Sequence, residues 1–163
     1  MNRFKYAAST CLYLGHSPVA PGTFGTLGGV VIAFGLAHTS YFLLGVVVVA
    51  GLIYAVSRDL GDWAERESAG KDPGFFVLDE VIGYLITVAW IAPPSFLTLV
   101  VAFLVFRFFD VLKPPPVRWF ERLGGGDGIL LDDVMAGLYG LAVMALLRGF
   151  VLEPGAWVLG GLG

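Results

Sequence analysis

Five carboxylates fall in three short groups along the chain: Asp79-Glu80, Asp110 and Asp132-Asp133. Each group sits at the edge of an apolar block. Asp79-Glu80 opens one, Asp110 closes the next, and Asp132-Asp133 opens the last. If the blocks are helices of alternating direction, all five acids reach one face. Two like charges 4 Å apart repel by about 4 kcal/mol at an effective dielectric near 20, so protons or cations must join such a cluster. A hard cation such as Mg²⁺ takes oxygen ligands, usually one or two carboxylates with waters and a substrate phosphate. One or two such ions bridging a phosphoryl group is a site for phosphoryl transfer. Arg107 and Lys113 flank Asp110 and are candidates to neutralise charge on that phosphate.

Each acid also has a plainer reading. Asp79 and Asp132 could cap helix N-termini, where acids are favoured by the free N–H groups and the helix dipole. Asp110 does not fit that account, because it stands at a helix C-terminus. It could instead pair with Arg107 three residues before it or Lys113 three residues after it. Gly83 and Ala136 lie one helical turn beyond Asp79 and Asp132, on the same face. Small residues there let helices approach closely, which is what convergence of the acids requires.

The elements that must carry these residues follow from composition. The 163 residues are 57% hydrophobic and 14% charged, against about 45–50% and 25% for soluble chains. That is the balance of a membrane protein. The net charge of −3 comes without a basic run, which argues against nucleic-acid binding. Residues 1–163 read as a single domain with no internal repeat.

The apolar blocks run from about Phe24 to Ala37, Tyr41 to Val56 (continuing as a polar helix through Arg58, Asp62 and Glu65), Asp79 to near Ala92, Ser95 to Asp110, and Leu130 to Leu147. Their length and lack of period-2 alternation read as helices despite valine runs such as Val46 to Val49. The expected fold is therefore all-α, a compact bundle of short hydrophobic helices embedded in the membrane. Between the blocks stand His38-Thr39-Ser40, the Gly/Pro loop from Ala69 to Gly74, Pro93-Pro94, the run Pro114-Pro115-Pro116, an amphipathic turn with Trp119 and Phe120 opposite Arg118 and Arg122, and Gly124-Gly125-Gly126, read as a flexible joint. Several blocks are shorter than the roughly 17–25 residues of a spanning helix.

Lys and Arg cluster before the first block, after the second, and after the fourth, while the His38-Thr39-Ser40 and Pro93-Pro94-Ser95 joints carry none. The positive-inside rule then puts the acid-bearing helix ends in the cytoplasm. Met1 to Thr10 lacks the apolar core and cleavage site of a secretory signal, so the N-terminus is expected to be retained.

Other chemistries find less support. Cys11 has no Arg within the reach of a cysteine-phosphatase loop and reads as a small buried hydrophobe. His38 reads as structural and His16 as solvated, though a loop position leaves His16 able to face the site. Gly124 to Gly126 lacks the lysine of a nucleotide-binding loop. The stretch from Ser17 to Thr26 leads into a helix, with Thr23 or Thr26 as the expected cap. Its free N–H groups and hydroxyls could hold a phosphate, or it is an ordinary rigid loop.

Four stretches, in order, resemble the phosphatidylglycerophosphatase A family: Tyr13 to Thr26 (YLGHSPVAPGTFGT), Val77 to Gly83 (VLDEVIG), Phe106 to Val117 (FRFFDVLKPPPV) and Leu131 to Gly137 (LDDVMAG). The resemblance spans about Tyr6 to Arg148. It implies an all-helical fold and Mg²⁺-dependent hydrolysis of phosphatidylglycerophosphate to phosphatidylglycerol, in a bacterial inner-membrane protein working on membrane lipid. Gly74-Phe75-Phe76 is more apolar than that family's usual approach to the first acid pair, which leaves a role for Asp72 open. Lys113 leads directly into three prolines where an aromatic often separates them.

Three readings follow. The first is a lipid phosphatase with Asp79, Glu80, Asp110, Asp132 and Asp133 as metal ligands and catalytic groups, and Arg107, Lys113, Thr23 and Thr26 toward the phosphate. The second is a small transporter or scaffold with an acidic ion site. Against it, the acids lie at helix ends and not at depth. The third is a Mg²⁺-dependent lipid phosphotransferase, which disagrees with adjacent acid pairs on separate helices.

Overall fold

The computed structural model describes residues 3–70, 73–120, 123–151 and 154–160. Among these there is no strand, only one isolated bridge between Pro94 and Val158. The helices are α1 (Arg3–Ser9), α2 (Pro21–Ala37), α3 (Phe42–Ser68), α4 (Leu78–Val88), α5 (Phe96–Leu112), α6 (Val117–Phe120) and α7 (Gly125–Phe150). Single 3-10 turns lie at Leu14–His16 and Pro154–Trp157. The all-α expectation holds, and the polar continuation of the second block is one helix with its apolar half. Lys71, Asp72 and Arg122 lie outside the described residues.

Three boundaries differ from the sequence reading. Helix α4 stops at Val88, four residues short of Ala92, because Ala89 turns extended ahead of the two prolines, which disfavour helix before them. The segment beyond it is tied to the chain's C-terminal part instead. The Leu159 N–H donates to the Pro93 carbonyl, and the Ser95 N–H to that of Trp157. Ser95 then caps α5, accepting from the Thr98 N–H at 3.2 Å. Helix α5 runs past Asp110 to Leu112 and ends with Lys113 in a left-handed turn, φ 45°, just before the triproline run.

The third difference matters most. Helix α7 begins at Gly125, not near Leu130. Gly125 and Gly126 are not a flexible joint. Their N–H groups donate to Glu65 Oε2 at 2.9 Å and Asp62 Oδ1 at 2.6 Å, so two carboxylates of α3 satisfy the start of α7. Gly126 also lies against the α3 backbone, and a Cβ there would fall 2.0 Å from the Arg58 carbonyl oxygen. Asp132 and Asp133 consequently sit about two turns inside the helix at 3.6 residues per turn, where they cannot be caps.

Helix α4 is the centre of the bundle. Nine of its eleven residues are buried, packed among α2, α3, α5 and α7. Its neighbour α7 runs alongside it in the same direction through a seam of small residues. A Cβ on Gly83 would lie 2.7 Å from the Asp133 carbonyl oxygen, and one on Gly137 would lie 2.5 Å from the Gly83 carbonyl oxygen. Thr87 seals the seam one turn on. Its hydroxyl contacts the Gly83 and Gly137 carbonyl oxygens at 3.0 and 3.3 Å.

Helices α3 and α7 are long and apolar enough to cross a membrane. In α3 only 17% of the apolar stretch is buried in the protein, and Leu44, Val47, Leu52 and Val56 point outward.

The seam makes opposite predictions for two glycines. Gly137→Ala presses a methyl on the α4 backbone and should destabilise by about 1–3 kcal/mol, seen as a lower thermal midpoint in detergent. Gly51 in α3 has no atom within 4 Å of its would-be Cβ. Gly51→Ala should leave the midpoint unchanged or raise it by the equivalent of about 0.5–1 kcal/mol.

Candidate metal centre

The first turn of α4 carries Asp79 and Glu80. Its approach is anchored by Val77, fully buried, whose N–H donates to the Ser9 carbonyl at 3.1 Å. Asp79 Oδ1 accepts from the Glu80 N–H at 3.0 Å. Across the glycine seam stand Asp132 and Asp133, 5% and 3% exposed. Oxygen atoms of Asp79, Glu80 and Asp133 all lie within 4.8 Å of one another. The remaining two acids stand beside that triad, each against a cation. Asp110 is ion-paired with Arg107, and Asp132 Oδ2 with Lys113 Nζ at 2.7 Å. Of the two partners open to Asp110 in the sequence, Arg107 is the one it takes.

Helix α2 closes the cluster from a third side. A Cβ on Gly22 would fall 2.3 Å from Glu80 Oε1 and 3.0 Å from an Arg107 amino group, and one on Gly25 would fall 3.3 Å from Glu80 Oε2. These two glycines, one turn apart, make room for the Glu80 carboxylate. Glu80 Oε2 is buried with no hydrogen-bond partner among the described residues. Burial pushes the Glu80 carboxyl up to about 7, with the negative charge of Asp110 adding to the rise and Arg107 opposing it.

Buried carboxylates that face one another with an oxygen unsatisfied are the donor set of a hard divalent cation, which accepts oxygen ligands and offsets their repulsion. The residues present fit such an ion. Asp79, Glu80 and Asp133 would hold it.

The other candidates are placed as follows. Helix α2 begins at Pro21, and its cap is Ala20, left-handed at φ 50° and without a side-chain hydrogen bond. Neither Thr23 nor Thr26 caps it, because proline at the first helical position starts the helix ahead of both. Thr23 is half-buried in the first turn. Thr26 is fully buried, and its hydroxyl donates to the Gly22 carbonyl at 2.8 Å. His16 is exposed with Nδ1 2.9 Å from the Tyr6 hydroxyl. His38 binds the Phe34 carbonyl at 2.8 Å, in keeping with a structural role. Cys11 is half-buried against both apolar clusters of the core.

Sequence reasoning missed Gly22 and Gly25, whose spacing of three in a helical start was the available signal. It also missed a short repeat. Leu78-Asp79-Glu80-Val81-Ile82-Gly83 and Leu131-Asp132-Asp133-Val134-Met135-Ala136 share one pattern, and the fold lays the two copies side by side on parallel helices.

The family model described as phosphatidylglycerophosphatase A matches residues 7–148. Phosphatidylglycerophosphatase A of Haemophilus influenzae is 36% identical over 137 residues, 82% of this chain and 82% of that protein. Its Escherichia coli counterpart is 32% identical over 131 residues, 80% and 75% of the two chains. A Bacteroides thetaiotaomicron protein named "Putative phosphatidylinositol-3-phosphatase" is 35% identical over 156 residues, 90% and 89% of the two. No solved structure matches significantly. The matched span contains the acid triad, both cations and the α2 glycines, and the chain belongs to the phosphatidylglycerophosphatase A family.

Proposed function

We propose that this protein is a Mg²⁺-dependent phosphatase of the bacterial inner membrane that hydrolyses phosphatidylglycerophosphate to phosphatidylglycerol and phosphate. The observation that carries the reading is the buried triad of Asp79, Glu80 and Asp133, within 4.8 Å of one another and with Glu80 Oε2 unsatisfied. Family membership supports hydrolysis over transport or phosphotransfer. When bound, Mg²⁺ supplies charge to the phosphoryl oxygens and acidifies a water.

The chain's own residues do the rest. Asp79, Asp133 and the Oε1 side of Glu80 would hold the ion. Arg107 and Lys113, now paired with Asp110 and Asp132, turn toward the phosphate and neutralise the charge that builds in the transition state. Glu80 takes the proton of the attacking water through Oε2. The phosphorus–oxygen ester bond breaks, the glycerol oxygen takes a proton from solvent, and Glu80 releases to solvent the proton it took. Thr23, in the first turn of α2 next to Gly22, is the hydroxyl proposed to meet the phosphate. The half-exposed apolar face of α3 and the length of α7 support embedding in the bilayer. The triad then lies on the cytoplasmic side, at the start of α4 and about two turns into α7, and the lipid enters from the inner leaflet with its tails kept in the membrane.

Asp79→Asn and Asp133→Asn should each lower kcat for phosphate release by at least about a hundredfold while the protein still inserts and keeps its circular dichroism. Chelation should silence the wild type, and Mg²⁺ should restore it. Near-normal turnover in either variant would remove that residue from the ligand set. A substrate panel of phosphatidylglycerophosphate and phosphatidylinositol 3-phosphate reads head-group preference. The first should be cleaved with the higher kcat/KM.

Sidedness has its own test. With Cys11 changed to Ala, a cysteine replacing Thr39 should react with an impermeant thiol reagent only from outside, and one replacing Leu123 only from the cytoplasm. Leu123 is exposed, whereas Gly125 has φ +70° and its N–H bound to Glu65, so a side chain there is strained. Labelling of both from one side would overturn the orientation.

A further inference from the structure

Arg148 lies near the far end of α7, roughly 22 Å along the helix from Asp133 at 1.5 Å per residue. It is only 9% exposed. Its guanidinium stacks over Trp90 at 4.5 Å from the ring centroid, and Nη2 reaches the Val88 carbonyl at 3.5 Å. Nη1 is buried and has no hydrogen-bond partner among the described residues. Trp157, 4% exposed, is in the same position, because its indole Nε1–H is buried with no acceptor. Both residues line one cavity of about 290 Å³, together with Trp90, Ala145, Pro154 and Val158, and among the described residues no Asp or Glu lines it.

A buried guanidinium without a counter-charge is costly, and so is a buried N–H without an acceptor. Here both residues line one cavity, and a group that satisfies both donors is acceptor-only and anionic. The planar fork of arginine matches a phosphate in particular. The surroundings say what the phosphate is attached to. Ile91 follows Trp90 in the chain and is 84% exposed, and Phe150, two residues beyond Arg148, is 85% exposed. Exposed apolar residues that adjoin lining residues in the chain suit a phosphate that brings acyl chains with it.

We propose that this cavity is a second lipid site, which holds the phosphate of a membrane phospholipid between Arg148 and Trp157 while its chains lie over these apolar residues. The proposal rests on membrane embedding and not on the phosphatase reaction. It places a structural lipid in the leaflet opposite the acids.

The test is a titration of the full-length, detergent-purified protein followed by its thermal midpoint. Three probes are compared: dioctanoyl phosphatidylserine, dioctanoylglycerol, which lacks the phosphate, and inorganic phosphate. Phosphatidylserine should raise the midpoint, and the other two should not at equal concentration. Arg148→Gln should weaken the apparent Kd for phosphatidylserine by roughly tenfold to a hundredfold. Trp157→Phe keeps the aromatic bulk and deletes only the N–H, so it should weaken it by roughly two- to tenfold. It also serves as the readout if Arg148→Gln does not fold. Asp79→Asn should respond to the lipid as the wild type does, which separates this site from the acid triad. Equal stabilisation by dioctanoylglycerol would overturn the phosphate assignment, and equal stabilisation by inorganic phosphate would overturn the lipid. Unchanged affinity in Trp157→Phe would overturn the site.

Discussion

Gly83 and Gly137 meet with no side chain between them, and α4 and α7 can run together only because of it. The approach is limited by backbone, since a methyl on either glycine would strike a carbonyl oxygen of the other helix. One turn toward the N-terminus of that seam are the acid pairs. Across that contact, oxygen atoms of Asp79, Glu80 and Asp133 come within 4.8 Å of one another. Thr87 adds a hydroxyl that contacts both helices from within the seam, so the same contact is closed on its other side. The acid cluster is in this sense a consequence of helix packing.

Concentrating carboxylates in a buried seam works against stability, and the rest of the fold offsets it in stages. Arg107 and Lys113, both at the end of α5, neutralise the outer acids. Glycines in α2 let that helix come down on Glu80 without displacing it. What remains is Glu80 Oε2, buried and unsatisfied, and burial raises that carboxyl to about 7. A site that leaves one oxygen unpaired is prepared for a ligand and not for its own greatest stability.

The two ends of the bundle have opposite chemistry. One end gathers carboxylates beside Arg107 and Lys113. The other holds Arg148 and Trp157 with donors and, among the described residues, no acid lining the cavity they share. Between the ends, α3 turns an apolar face outward. An anionic lipid substrate at one end and a phospholipid at the other fit this polarity.

Much of the chemistry was legible without coordinates, because it depends on residue type and local period. The all-α class followed from the length and apolarity of the blocks, and the carboxylate groups followed from their places at block edges. The small residue one turn past Asp79 already pointed to close helix contact. Tertiary structure decided what depends on neighbours distant in the chain. Gly125 and Gly126 look like a hinge in sequence, yet Asp62 and Glu65 of α3 supply the acceptors that make them the start of α7, and this moves Asp132 and Asp133 from a cap position into the helix interior. Thr23 and Thr26 look like caps, but proline at position 21 starts the helix before them. Which acid meets which cation was undecidable from spacing, since Lys113 is three residues from Asp110 but pairs with Asp132, nineteen residues on. Local sequence specifies helices and their charges. Which helix ends lie close enough to share an ion is set by the absence of two side chains at Gly83 and Gly137, and only packing reveals that.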